Sequence, residues 1–110
     1  MNKIKIILSA EAKGFIGKQS LKVREKIYYN IRKVEAGIID KELFKKLEGS
    51  EIWELRTQYE SMAYRILAFW DKDRHSLVIA THGFVKKTMK TPAKEIGVAE
   101  TIMKEYYNKR

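Results

Sequence analysis

The stretches Glu51-Ile-Trp-Glu-Leu-Arg56 and Tyr64-Arg-Ile-Leu-Ala-Phe-Trp70 alternate with a period of two, and this alternation decides the fold. It places successive side chains on opposite faces of an extended chain, so each stretch predicts a β-strand. The apolar run Leu77-Val-Ile-Ala-Thr81 predicts a third strand. Three strands with short connections predict an antiparallel meander, with a rather long loop over residues 57–63 and a turn over residues 71–76 that contains His75.

The residues before the meander predict a layer that covers one of its faces. Lys3-Ile-Lys-Ile-Ile-Leu8 predicts a first strand, and Ser9 is placed to cap a helix that runs to about Glu35. After a turn, a second short helix is expected over Lys41–Leu47, which makes a helical hairpin. Two glycines favour a break in the first helix, and its inward stripe is expected at Leu21, Ile27, Tyr28, Ile31 and Val34.

The residues after the meander predict a final helix. Thr91 is placed to cap it and Pro92 to occupy its first position. Its apolar stripe is expected to complete the core, to rest on the other face of the sheet, or to dock a partner. The predicted fold class is α+β in a single domain over residues 1–110, in the order strand, helical hairpin, three-stranded antiparallel meander, helix.

Composition restricts the function. Lys and Arg number 23 against 14 Asp and Glu, a net charge of +9, which favours a polyanion or an acidic protein as partner. The chain has no cysteine, so thiol catalysis and disulfides are excluded, and two histidines do not make a metal site. No metal or cofactor is expected. We find no membrane span or signal peptide, so a cytoplasmic protein is expected.

The segment from Thr81 to Pro92 is the strongest local signal of function. It contains three lysines and one histidine and has no acidic residue, which makes it a candidate for phosphate binding where a strand ends. A solvated basic loop is the alternative interpretation. Its lysines, with two arginines in neighbouring strands, are expected to converge on one face of the meander: Arg56, Arg65, Lys86, Lys87 and Lys90.

Three further interpretations stay open from the residues alone. Taken singly, Arg56 and Arg65 are better explained as ordinary ion pairs with Glu54 and Glu60, whereas their combination with the lysine cluster favours a functional site. His82 is a candidate general acid or base, although a single histidine is more often structural. In the expected hairpin loop, Tyr59 is a candidate for stacking on a base.

Several motifs together resemble one family. Trp-Glu-Leu-Arg ending at Arg56, Tyr64-Arg65, His82-Gly-Phe-Val-Lys-Lys-Thr88 and Lys90-Thr-Pro92 are similar to the RelE/ParE superfamily of bacterial toxins, in its HigB-like, phage-derived branch. The resemblance covers nearly the whole chain. It implies the toxin of a type II toxin-antitoxin pair, an endoribonuclease that cuts messenger RNA in the ribosomal A site without a metal. It also implies a helix-turn-helix antitoxin as partner and a toxin that is monomeric by itself.

The resemblance also implies roles for individual residues. Arg65 is expected at the scissile phosphate, Lys86 or Lys87 in phosphate stabilisation or proton transfer, and Arg56 in substrate positioning, with His82 nearby. Lys90, Thr88 and Tyr59 are expected to contact RNA. Two alternatives remain, a ParE-like gyrase inhibitor and a non-catalytic module that binds nucleic acid or antitoxin.

Overall fold

The computed structural model describes residues 3–109, which form one five-stranded sheet with helices on both faces. The strand order is β1-β5-β4-β3-β2; β1 pairs with β5 in parallel and all other neighbours are antiparallel. This confirms the α+β class and the antiparallel meander. The elements are β1 (Lys5–Leu8), α1 (Ala10–Gly17), α2 (Leu21–Glu35), β2 (Phe44–Lys46), β3 (Trp53–Tyr59), β4 (Met62–Trp70), β5 (Leu77–Lys86) and α3 (Ala93–Asn108).

Helices α1 and α2 cover one face of the sheet. Each begins at a serine whose hydroxyl accepts a backbone N–H, Ser9 from Ala12 and Ser20 from Val23. The expected break is therefore confirmed, and the helical hairpin is made of α1 and α2. Leu21 and Tyr28 were wrongly placed in the inward stripe, since both are exposed. The buried positions of α2 include a polar residue that an apolar pattern does not reveal: Val23, Ile27, Asn30, Ile31 and Val34.

The short helix expected over Lys41–Leu47 is absent from this structure. Residues 41–43 form a turn and Phe44–Lys46 form β2, which pairs with β3 at the edge of the sheet. Backbone pairing decides the conformation, because the N–H of Arg56 donates to the carbonyl of Leu43 at 2.8 Å. Phe44 is buried against Trp53, with ring centroids 4.7 Å apart.

The two hairpin strands are longer than the sequence pattern indicated. Glu60 and Ser61 both have positive φ, 46° and 70°, so a tight two-residue turn replaces the expected long loop. Tyr59 is therefore a residue of β3. Strand β5 likewise continues to Lys86 instead of ending at Thr81, so the first half of the basic segment lies inside the sheet.

Helix α3 lies on the other face of the sheet, which is one of the three expected positions. Ala99 is fully buried, and the helix packs on a second apolar cluster formed by Ile52, Leu67, Phe69, Leu77 and Ile79. The prediction that Thr91 caps this helix is wrong. Pro92 occupies the N-cap without a side-chain hydrogen bond, and the Thr91 hydroxyl donates to Glu54 instead. No helix within residues 3–109 is both long and apolar enough to cross a membrane.

Candidate nucleic-acid interface

Helix α3 covers only part of its face of the sheet, and cationic side chains occupy the rest. In the sheet register, Arg56 is opposite Arg65, Arg65 is opposite Phe84, and Lys86 is opposite Ala63. Strand β2 adds a fourth cation, since Lys45 pairs with Glu54. Paired residues point to the same side of a sheet. We call this surface the cationic face: Lys45, Arg56, Arg65 and Lys86 around Glu54.

A β-bulge brings Lys86 to this face. Between β4 and β5 the register shifts at Leu67/Ala68, so that Ala80 pairs with Ala68 and His82 pairs with Leu67. Thr81 is the extra residue. Before it, Leu77 and Ile79 face α3; after it, the even-numbered residues do. Without the bulge, the alternation of side chains would turn His82, Phe84 and Lys86 toward α1 and α2.

Three hydrogen bonds hold the bulge in place. The hydroxyl of Ser9 donates to the carbonyl of Thr81 at 2.6 Å, and the N–H of Ser9 donates to the carbonyl of Ala80 at 3.1 Å. Thr81 is fully buried, and its hydroxyl donates to the carbonyl of Leu67 at 3.2 Å. Ser9 thus caps α1 and fixes the bulge at the same time.

The centre of the cationic face is the buried carboxylate of Glu54, which is 1% exposed. Its Oε1 lies 3.3 Å from Arg65 Nε and 3.5 Å from Arg56 Nε. The ion-pair alternative is therefore realised for Glu54 with both arginines, whereas Glu60 lies in the exposed hairpin turn. The two interpretations of the arginines are compatible, because the pairs leave both guanidinium groups on the cationic face.

Arg65 is buried to an unusual degree for a charged side chain, being only 6% exposed. Burial lowers the pKa of its guanidinium, and the charge of Arg56 lowers it further, while Glu54 acts in the opposite direction. Its buried Nε makes no hydrogen bond despite the nearby carboxylate, and the same holds for Arg56 Nε. A charge held in this way is a frequent property of binding and catalytic sites.

Lys86 is half-buried at the end of β5. Burial lowers the pKa of its ammonium group; the Glu54 carboxylate raises this pKa, and Arg65, Arg56 and Lys45 lower it. The net effect is a pKa below the usual value for lysine. A lysine with a lowered pKa exchanges protons more readily near neutral pH, which suits it to proton transfer.

His82 links the cationic face to α3, and its ring does not project freely from that face. Its Nε2 lies 3.0 Å from Glu95 Oε1 and its Nδ1 lies 3.0 Å from the Thr81 hydroxyl. Both ring nitrogens are thus engaged. The structure places His82 beside the expected residues, but its contacts are those of a side chain that anchors the start of α3.

The remaining expected residues lie around or away from this face. Lys87, Thr88 and Lys90 are exposed after the end of β5, and the Thr88 hydroxyl donates to the carbonyl of Lys90 at 2.7 Å. Tyr59 does not join them, because it packs against the core under α1 and α2 on the opposite face of the sheet. Stacking by Tyr59 beside the arginines is therefore not supported.

Sequence reasoning missed three contributors to the site. Lys45 was expected in a helix, and no local signal shows that it pairs with Glu54 in the sheet. Thr91 was expected only as a helix cap and Glu95 was not singled out, yet they bind Glu54 and His82. A polar side chain whose partner lies tens of residues away leaves no periodic pattern. Within residues 3–109, no group of three His, Asp or Glu side chains could hold a metal ion.

The fold and the site together define a small basic α+β domain with a cationic surface on the sheet face that α3 leaves open. The family described as phage derived protein Gp49-like matches residues 14–104. The chain belongs to this family, which confirms the phage-derived branch of the resemblance. No curated protein matches the sequence.

Two solved structures share the RelE fold with this chain. One is a double-arginine mutant of the Escherichia coli toxin RelE in the free state, with a TM-score of 0.60 and 17% identity over 94% of this chain and 98% of that chain. The other is the Mycobacterium tuberculosis toxin-antitoxin complex RelBE2, with a TM-score of 0.50 and 15% identity over 76% of this chain and 99% of that chain. The RelE/ParE resemblance is thus confirmed at the level of the fold.

Proposed function

We propose that this chain is the HigB-like toxin of a type II toxin-antitoxin pair, a ribosome-dependent endoribonuclease that cuts messenger RNA. The observation that carries the proposal is the convergence of Arg56, Arg65 and Lys86 on one sheet face. Family membership and the RelE fold support the assignment as a toxin. RelBE2 is a toxin-antitoxin complex, which supports an antitoxin as the partner of this chain.

The residues suit cleavage by the 2'-hydroxyl of the substrate. In this reaction the 2'-oxygen bonds to phosphorus, the bond from phosphorus to the 5'-oxygen breaks, and a proton moves to the leaving oxygen. Arg65 stabilises the added charge on the phosphate, and Arg56 positions it. Lys86 donates the proton to the 5'-oxygen, a step that its lowered pKa favours. In this proposal, a group of the ribosomal complex is the base that accepts the 2'-proton.

The exposed cations extend the surface for the RNA backbone. Lys45 belongs to the cationic face, and Lys87 and Lys90 follow the end of β5. All three are exposed, so each contributes attraction that weakens with salt. Thr88 braces the loop that carries Lys87 and Lys90. The antitoxin is expected to be a helix-turn-helix protein that holds the toxin inactive.

The test is induced expression in bacteria with mapping of RNA 5'-ends on translated messages. Arg65→Ala and Lys86→Ala are compared with Lys13→Ala, an exposed residue of α1 on the opposite layer. We expect cuts that require translation in the parent and in Lys13→Ala. Each site variant should lose at least about a hundredfold, which is the typical contribution of one charge-stabilising or proton-transferring group.

Two other outcomes would replace the proposal. Growth arrest and a DNA-damage response with intact transcripts would indicate a gyrase inhibitor. Absence of arrest, with RNA binding that weakens in proportion to the lysines removed, would indicate a non-catalytic module. Unchanged cleavage in Arg65→Ala would refute the assigned site even if the protein is a nuclease.

A further inference from the structure

The most deeply buried charged group of the cationic face is an anion with no assigned role. We propose that Glu54 is the positioning residue of this site, whose carboxylate holds Arg56 and Arg65 side by side and keeps several cations together in a phosphate-binding geometry. For its effect on cleavage, this inference rests on the proposed function. Its effect on the charges of the site does not.

The contacts of the two arginines show how the positioning works. Glu54 Oε1 lies 3.5 Å from Arg56 Nε and 3.3 Å from Arg65 Nε. The Nη1 groups donate to backbone carbonyls, that of Arg56 to Lys41 at 2.9 Å and that of Arg65 to Tyr64 at 3.2 Å. Each guanidinium is thus held at two of its nitrogens, Nε by the ion pair with Glu54 and Nη1 by a backbone carbonyl. Within residues 3–109 the hydrogen bonds of these two side chains are made by Nη1, which leaves the Nη2 groups for a substrate phosphate.

Glu54 itself is fixed from a second element. Its Oε2 accepts a hydrogen bond from the Thr91 hydroxyl, immediately before α3. With 1% exposure, the carboxylate has no surface on which a substrate could bind. Glu54 therefore acts through the arginines and is not the base of the reaction.

Electrostatics gives the reason for an anion at this position. Arg56 and Arg65 are directly opposite on β3 and β4, and like charges directly opposite repel. Burial of Arg65 increases the cost of leaving its charge unpaired. One buried carboxylate between the Nε atoms reduces the repulsion between the two arginines and offsets one of their two charges, which leaves the face with a net positive charge for the RNA.

Lys86 supplies a measurement that does not depend on cleavage. The Glu54 carboxylate raises the pKa of Lys86. Replacing Glu54 by glutamine, its neutral isostere, should therefore let the pKa of Lys86 fall further. The titration of Lys86 can be followed by NMR in the full-length protein carrying 13C-labelled lysine, with Lys86→Arg to assign the signal. Glu54→Gln is compared with Glu51→Gln, which makes the same change of charge at an exposed position.

We expect Lys86 to titrate at lower pH in Glu54→Gln than in the parent and to stay unchanged in Glu51→Gln. In the ribosomal cleavage assay, kcat of Glu54→Gln should fall at least tenfold while RNA binding is equal or tighter, because the face has gained positive charge. The alkaline limb of its pH–rate profile should move to lower pH.

If Glu54→Gln does not fold, Thr91→Val tests the same arrangement by removing only the hydrogen bond to Oε2. It should lower kcat with little change in RNA binding. A folded Glu54→Gln protein with unchanged Lys86 titration would overturn the proposal, and so would equal losses in kcat and RNA affinity. If the parent does not cleave RNA, the proposed function fails, whereas the titration still decides the electrostatic role of Glu54.

Discussion

Gly83 offers a sharp test of how the sheet is packed behind the cationic face. It faces α1, and a Cβ atom added to its backbone would lie 2.2 Å from Phe15 Cδ2 and 2.6 Å from Phe15 Cγ. Carbon atoms in contact are normally about 3.5–4.0 Å apart, so the aromatic ring would have to move. Gly83→Ala is therefore expected to push α1 away from β5.

The magnitude follows from two opposing effects. Overpacking in a well-packed core costs about 1–3 kcal/mol. Replacing a glycine inside a strand by alanine returns about 0.5–1 kcal/mol of backbone entropy. The net loss expected for Gly83→Ala is about 0.5–2 kcal/mol, which corresponds to a fall in Tm of about 2–8 °C in a domain of this size.

The assay is a double-mutant cycle by urea unfolding with Gly83→Ala, Phe15→Ala and both together. Once the ring is gone, Gly83→Ala should become neutral or stabilising, since only the entropy term remains. The coupling energy should then be about 1–3 kcal/mol. A Gly83→Ala protein that is as stable as the parent, or additive with Phe15→Ala, would refute the close contact between α1 and β5.

Four further outcomes are expected. Lys86→Met should raise Tm at neutral pH, since the lowered pKa of Lys86 means that folding disfavours its charged form. The gain should vanish above pH 10.5, the usual pKa, where the parent lysine is neutral in both states. Ser9→Ala should lower the free energy of unfolding by about 1–2 kcal/mol in urea titrations, through loss of the cap and the bulge contact. His82→Phe should increase hydrogen exchange in the first turn of α3. Lys45→Ala should reduce the salt slope of RNA binding by about 1, measured by fluorescence anisotropy.

The sequence was sufficient for the fold wherever one periodic face carries the burial. The strands of the meander and Ile27, Ile31 and Val34 of α2 were predicted correctly for this reason. The edge strand β2 was not, because a single buried side chain, Phe44, leaves no period to detect. Its conformation comes from backbone pairing with β3, which is remote information that a local pattern does not contain.

For the site, the sequence supplied three of the four cations, missed Lys45, and did not show how they are organised. Arg56, Arg65 and Lys86 were expected on one face and lie there. The distinction between Lys86 and Lys87 was not available, since both belong to one short basic run. It depends on where β5 ends and on which side the last strand residue faces.

The bulge at Thr81 makes that distinction, and its placement links the two halves of the fold. The apolar run before Thr81 must present Leu77 and Ile79 to α3, because these two side chains belong to the apolar cluster on which α3 packs. A regular strand would then send Lys86 to the side covered by α1 and α2, where a charge is costly. One extra residue reverses the alternation, so a single strand serves the core of α3 at one end and the cationic face at the other. Ser9 fixes this reversal from the start of α1, which means that the layer opposite the site determines which lysine enters it.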